Sequence, residues 1–212
     1  MIHLVTAENF TQYEGLMEQA FRLRHSVFVD EMGWEELRRA DGREVDQFDD
    51  GHAVHMLYVE DQKLLGYQRL LPSIRPNLLS TVLRHLCDDE PPAAADVWEW
   101  TRYCVAPGCR DRGRMLSPIG NMLLSGIVEW GIQNGVSKII IEMNPIWLLR
   151  LVQLHFRVAP LGVPHEVGKD SVVAVTAAFD QRTLLRLRET RGDDRPMLAA
   201  MEKSGLSRAA SN

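Results

Sequence analysis

The spacing of apolar residues along this chain changes character several times, and each change marks an element. Positions 2–5 form a short apolar run of strand length. Across 8–28, Tyr13, Leu16, Met17, Ala20, Phe21 and Val27 recur at three- and four-residue intervals, which predicts an amphipathic helix. Positions 30–53 have no clear period and are dense in charge (EELRRADGREVDQFDD). Irregular stretches of that length are uncommon inside a domain and tend to carry function. Strand patterns return at 55–60 and 63–71, and Asp61-Gln62 between them predicts a tight hairpin.

Further along, 78–86 predicts a short helix and DDEPPAAAD a loop, and 97–105, rich in Trp, Tyr, Thr and Val, predicts a strand. Ser117-Pro118 offers an N-cap followed by proline at the first helical position, and Asn134-Gly135 a stop, so a helix is expected from 118 to 133. A strand at 138–143, a helix at 145–155, a strand at 172–178 and a helix at 181–190 complete the pattern. Interleaved strands and helices predict an α/β fold, and the hairpin makes its central sheet mixed; the expected architecture is a three-layer α/β/α sandwich. Residues 1–190 are read as a single domain and 191–212 as a peripheral C-terminal tail.

Composition narrows the function classes. The 212 residues are 45% hydrophobic and 25% charged, which excludes a disordered or fibrous chain, and no apolar run reaches membrane-span length. A net charge of -5 gives no support for nucleic-acid binding. The N-terminus lacks a cationic region followed by a long apolar stretch, so no secretion signal is expected. Cys87, Cys104 and Cys109 form no CxxC pair; free thiols in a reducing cytoplasm and no structural metal are the plain expectation.

Two groups of residues could carry chemistry. The loop CRDRGRMLSPIG joins a strand to a helix start, where free backbone N–H groups and the helix dipole suit phosphate oxygens. Arg110, Arg112 and Arg114 add charge and Gly113 permits close approach. The run Arg110-x-x-Gly113 resembles the pyrophosphate-binding loop of GCN5-related N-acetyltransferases, with Met115 in place of the usual final small residue; a solvated basic loop is the alternative.

The second group is scattered. Arg24 and Phe28 lie four apart on one helix, Trp34 follows, Asp46 and Asp49 sit in the irregular segment, Arg69 lies in one predicted strand, and Glu99 and Arg102 in another. Charged residues in a buried sheet are costly unless paired, so these are expected to neutralise one another or a ligand. A structural ion-pair network is the alternative. Residues 99 and 102 of a regular strand point to opposite faces, so a shared site requires a bulge near Thr101.

Those eight residues, with the stretches FRLRHSVFV, GREVDQFDD, GYQRLLPS and VWEWTRY, resemble the signature of the LuxI-type autoinducer synthases over roughly residues 1–185. One position departs, Leu83, where the family usually has Phe. The resemblance implies a fold similar to the N-acetyltransferases, S-adenosylmethionine as one substrate and an acyl thioester as the other, with no separate cofactor. It implies synthesis of an acyl-homoserine lactone for quorum sensing, with methylthioadenosine released. Glu99 is then the expected base, Arg102 the holder of the methionine carboxylate, and Trp34 a partner for the sulfonium or adenosyl group. Arg24, Asp46, Asp49 and Arg69 would organise the N-terminal lid. The acyl donor is acyl carrier protein in most members and coenzyme A in a minority branch. NPIWLLRL, with Trp147 and Arg150, is similar to a segment of that branch, and Ile141 stands where makers of 3-oxo-acyl signals often carry Thr; both favour an acyl-coenzyme A. A small-molecule N-acetyltransferase, or a protein that binds these ligands without turnover, are the alternatives, while the missing GxGxG-type loop disfavours methyl transfer.

Overall fold

The computed structural model describes residues 1–110 and 117–199. Its strands are β1 (Ile2–Val5), β2 (Val54–Glu60), β3 (Lys63–Pro72), β4 (Val97–Val105), β5 (Lys138–Met143), β6 (Arg157–Pro160), β7 (His165–Val167) and β8 (Asp170–Ala178). They form one sheet in the order β1-β2-β3-β4-β5-β8-β6, with β7 paired to β8. All neighbours are antiparallel except β4 and β5, so the sheet is mixed, as expected. Its longest helices are α1 (Glu14–Arg24), α3 (Pro118–Gln133) and α5 (Gln181–Arg191), with the shorter α2 (Leu78–Thr81) and α4 (Leu148–Gln153).

The two faces of the sheet carry separate cores, because side chains alternate along each strand. Met56, Leu70, Ile139, Val175 and Ala177 pack with Leu123, Ile127, Leu184 and Leu187 of α3 and α5. On the other face Val5, Leu57, Tyr67 and Cys104 pack with Met17, Ala20 and Phe21 of α1. Next to them, Val97, Ile140 and Ala174 pack with Leu79, Leu86 and Cys87. Burying each such aliphatic or aromatic side chain stabilises the fold by about 1.5–3 kcal/mol. The result is the three-layer α/β/α arrangement.

Local chemistry explains the differences from expectation. The first helix starts later than its periodicity suggests, because Asn9 folds the chain into a turn: its Oδ1 accepts from Thr6 N–H (2.8 Å) and its amide donates to the Leu4 carbonyl (2.9 Å). It also changes winding, from α-helix to a π-helix over His25–Glu31. β6 and β7 escape the apolar pattern, being exposed short strands, one of them ending in proline, as is common at sheet margins. The tail is attached as far as residue 199. Ile2 N–H donates to the Met197 carbonyl and Ala199 N–H to the Ile2 carbonyl, both at 2.8 Å, which pairs this stretch with β1.

Two features of the sheet position the site. Between the pairs Arg69↔Thr101 and Tyr67↔Cys104, β3 supplies one residue and β4 two. That is the bulge the sequence required, and Arg102 lies at its centre with φ 53. Left-handed backbone at a non-glycine residue is strained and collects at functional sites. Secondly, β4 and β5 pair only over Val97↔Lys138, Trp98↔Ile139 and Glu99↔Ile140. Past Glu99 the two strands have no mutual pairing, which leaves a gap in the middle of the sheet.

Candidate active site

The bulge turns Arg102 to the same face as Glu99 and Thr101, toward α1 and the irregular segment. There three arginines and three carboxylates form one network. Arg24, with no solvent exposure, donates from Nε to Glu44 (2.5 Å) and from both Nη atoms to Asp49 (2.7 and 2.8 Å). Arg69, equally buried, donates to Asp46 (2.6 and 2.9 Å), Asp49 (2.7 Å) and Thr101 Oγ1 (3.1 Å). Arg102 reaches Glu44 (3.1 and 3.2 Å) and Asp46 (2.8 Å). Paired guanidinium groups hold the carboxyls of Asp46 and Asp49 below the usual range, although burial alone would raise them. The cluster balances its own charge, three against three.

The π-helix brings the aromatic pair into this setting. Just past its end Trp34 N–H donates back to the Phe28 carbonyl (2.9 Å), and the two rings stack with centroids 5.1 Å apart. Single π-turns are frequent at functional sites. The Arg102 guanidinium lies 5.6 Å from the Phe28 ring and 5.9 Å from the Trp34 ring, so a cation already sits against both.

Glu99 stands outside the balanced cluster. It has no solvent exposure, and its two oxygens accept from the backbone N–H groups of Leu78 (3.0 Å) and Leu79 (2.7 Å). Those donors are available because Asn77 caps α2 through Ser80, leaving the first helical N–H groups to find another acceptor. Burial pushes the Glu99 carboxyl up, against those N–H groups and the charges of Arg69 and Arg102. Glu99 thus places a carboxyl at the closed end of the gap between β4 and β5.

The family model described as autoinducer synthase matches residues 8–187, most of the chain. This chain belongs to the autoinducer synthase family. The isovaleryl-homoserine lactone synthase of Bradyrhizobium diazoefficiens is 36% identical, over 97% of this chain and 95% of that one. The acyl-homoserine-lactone synthase of Pseudomonas aeruginosa is 28% identical over 87% and 90%. Among solved structures, the coenzyme A-dependent acyl-homoserine lactone synthase BjaI, with S-adenosylmethionine and isopentyl-CoA, matches with a TM-score of 0.87 at 36% identity, covering 94% of this chain and 92% of that one. An acyl-CoA N-acyltransferase from Pseudomonas aeruginosa, 17% identical over 84% of this chain and 99% of that one, shares the fold with a TM-score of 0.59.

Within this synthase the structure gathers all eight signature residues around one centre and leaves the other candidates elsewhere. Ile141 is buried in the core on the opposite face, packed with the α3 side. Trp147 is 43% exposed, in an exposed apolar run with Ile146, Leu149 and Val152. Arg110 donates to the Val105 carbonyl (2.7 Å) and pairs with Glu31 (2.5 Å), which ties the loop to the end of the π-helix. Arg112, Gly113 and Arg114 lie outside the described residues. Leu83 packs at the border of the Leu79 and Leu86 cluster. The three cysteines are free, Cys87 and Cys104 being buried. Among the described residues no helix is long and apolar enough to cross a membrane. A surface cavity of about 290 Å³ lies beside Cys87 and Pro160, away from the signature residues.

Two site residues were missed by sequence reasoning. Glu44 has no exposure and joins Arg24 to Arg102. The sequence carries no signal for it, since Asp46, Asp49 and Glu99 already balance the three arginines on paper and Glu44 stands among many other charged residues of its segment. Glu142 lies on the Glu99 face of β5, and within a short apolar strand it gave no signal either.

Proposed function

We propose that this synthase joins an acyl group from an acyl-coenzyme A to the amine of S-adenosylmethionine and closes the product to an acyl-homoserine lactone. The observation that carries the reading is a buried carboxylate left over from a charge-balanced cluster, at the closed end of a gap between two parallel strands. Glu99 suits a cationic amine there. The open backbone edges of β4 and β5 suit a thioester carbonyl. Coenzyme A is favoured by the names of the Bradyrhizobium relative and of the BjaI structure; the acyl group is expected to be simple, branched or aryl. Acyl carrier protein is the other donor to be tested. Both reactants and three free thiols fit the cytoplasm, and the reaction as written calls for no further cofactor.

The chemistry has two bond-forming steps. An α-amino group has an ordinary pKa of about 8, so near neutral pH it must shed a proton before it can attack. Glu99 draws that proton off, directly or through one water. The amine then forms the amide bond while the C–S bond breaks, and backbone N–H groups on the open strand edges stabilise the oxyanion. In the second step the methionine carboxylate attacks its own γ-carbon and methylthioadenosine departs from the sulfonium. Folding the substrate so that these atoms meet supplies most of the acceleration. Arg102, fixed by Glu44 and Asp46, orients the carboxylate, and Trp34 faces the sulfonium or adenosyl portion.

The test is incubation of the purified chain with S-adenosylmethionine and a panel of acyl-coenzyme A and acyl-carrier-protein donors, with the organic-soluble product identified by mass spectrometry. A lactone and methylthioadenosine in equal amounts are expected. Glu99→Gln is expected to abolish both while leaving the fold intact, and full activity in that variant removes the base assignment. Acyl-dependent turnover with no methylthioadenosine would point instead to a plain N-acyltransferase.

A further inference from the structure

Glu142 lies two residues past the end of the β4–β5 pairing. Glu99 pairs with Ile140, and Glu142, two residues on, points to the same face and opposes Ala174 of β8. It therefore lines the gap where Glu99 stands. Its Oε1 is shut off from solvent and has no hydrogen-bond partner among the described residues. The charged and titratable groups that act on it are Glu99 and Arg102 from β4 and Cys87 from the segment after α2. None neutralises it. Arg102 is already held by Glu44 and Asp46, burial keeps the Cys87 thiol protonated, and Glu99 is of like charge. A half-buried carboxylate with one oxygen shut off from solvent is costly there until a cation arrives.

Burial raises the Glu99 carboxyl, yet Glu99 is the worse placed of the two to keep a proton. Both its oxygens are occupied by backbone N–H donors, which favour the ionised form. Glu142 Oε1 has no such partner, and the backbone N–H that opposes the rise at Glu142 is outweighed by burial. We propose that Glu142 is where the amine proton comes to rest: Glu99 is the contact base, and Glu142 Oε1 holds the proton through the acyl transfer. This rests on the proposed function and deepens it.

Burial, and then the Glu99 charge, push the Glu142 carboxyl well above its usual range, which favours its protonated form in the free protein. Binding S-adenosylmethionine as its ammonium releases one proton to solvent, leaving one proton for the amine and Glu142 to share. When Glu142 holds it, the neutral amine forms the N–C bond, the C–S bond breaks, and the remaining amine proton that must leave goes to the thiolate sulfur. The carboxylate then attacks the γ-carbon and the sulfonium takes the electron pair of the broken C–S bond. Glu142 ends protonated, as it began, and one proton has been released per turnover.

The experiment is calorimetric titration of the full chain with S-adenosylmethionine at pH 7, in phosphate and in Tris, whose ionisation enthalpies differ. The wild type is expected to release close to one proton per ligand bound. Glu142→Gln is expected to bind the ligand without that release. Its kcat should fall on the order of a hundredfold with KM little changed. Its rate should also climb with pH as an amine of ordinary pKa, about 8, is freed, whereas the wild type stays level there. Glu142→Asp should retain the release and the level profile at a reduced rate, which a purely structural role would not require. Wild-type binding without proton release, in a protein that does make lactone, overturns the proposal whatever the variants do. Unchanged release or an unchanged pH profile in a folded Glu142→Gln overturns it too. A wild type that makes no lactone from any donor counts against the proposed function, and its proton release is still measured on binding.

Discussion

At the residue scale, the site is organised by a rule of neutrality. Arg24, Arg69 and Arg102 are buried, and each must meet a carboxylate because an isolated buried charge is costly. Glu44 lets two of them do so, which predicts a large effect for a residue that touches no reacting atom. Glu44→Gln is expected to lose on the order of 3 kcal/mol of stability, since it removes one partner of a buried ion network and leaves the others in place. Denaturant unfolding of the variant measures this, and the same variant should lose activity as Arg102 loses its anchor; a change below a few tenths of a kcal/mol would show that the network tolerates an unpaired guanidinium. Much of the cluster was legible in the sequence, because scattered charges in apolar strands advertise that they need partners. Glu44 was hidden among many exposed acids and bases of the same segment, and only its place in the fold singles it out. Glu142 was hidden in the opposite way, alone in a strand whose register with β4 the sequence does not contain.

The elements divide along the same line. Strong periodic patterns and caps placed β1 to β5 and α3 well, and the period of two along a strand required the bulge that the structure has at Arg102. The π-helix was not legible, since its wider turn follows from where Phe28 and Trp34 stack rather than from residue spacing. Close packing between elements is equally invisible in one dimension. Gly131 of α3 is such a case. Alanine is the better helix former by about 1 kcal/mol, so propensity alone favours Gly131→Ala. A Cβ there, however, would lie 2.4 and 2.6 Å from the ring of Phe179, which is held in the core between β8 and α5. Overpacking of this kind costs about 1–3 kcal/mol. The clash should win: the variant is expected to melt several degrees below the wild type, and a higher Tm would mean that Phe179 has room to move.

For the whole molecule, stability against pH should reflect two sets of buried groups pulling in opposite directions. His55 is 3% exposed, and its Nδ1 lies 2.7 Å from the Tyr67 hydroxyl. That hydroxyl also accepts from Arg24 (3.3 Å), and its own proton is free to go to an unprotonated Nδ1, which suits a neutral ring. Burial lowers the His55 pKa from 6.5 to about 4, helped by the nearby charges of Arg69 and Arg24 and opposed by the aspartates. The unfolded chain therefore binds a proton that the folded chain refuses, and this part of the stability is full above pH 6.5 and lost as pH falls toward 4. The slope for one such group approaches about 1.4 kcal/mol per pH unit. Glu99 and Glu142 act with the opposite sign, because carboxyls raised by burial protonate more readily when folded and so favour the fold as pH falls from neutrality. Below pH 4 the depressed carboxyls of Asp46 and Asp49 take over from His55 on the losing side, since the unfolded chain takes up their protons first. The wild type should thus show a shallow dependence between pH 6.5 and 4, where the two sets offset, and a steep loss below it. His55→Gln removes one side of the balance. Denaturation midpoints from pH 8 to 3 should show this variant, weaker than the wild type at neutral pH, closing on it as pH falls through the window; parallel curves would mean that folding does not shift the His55 pKa.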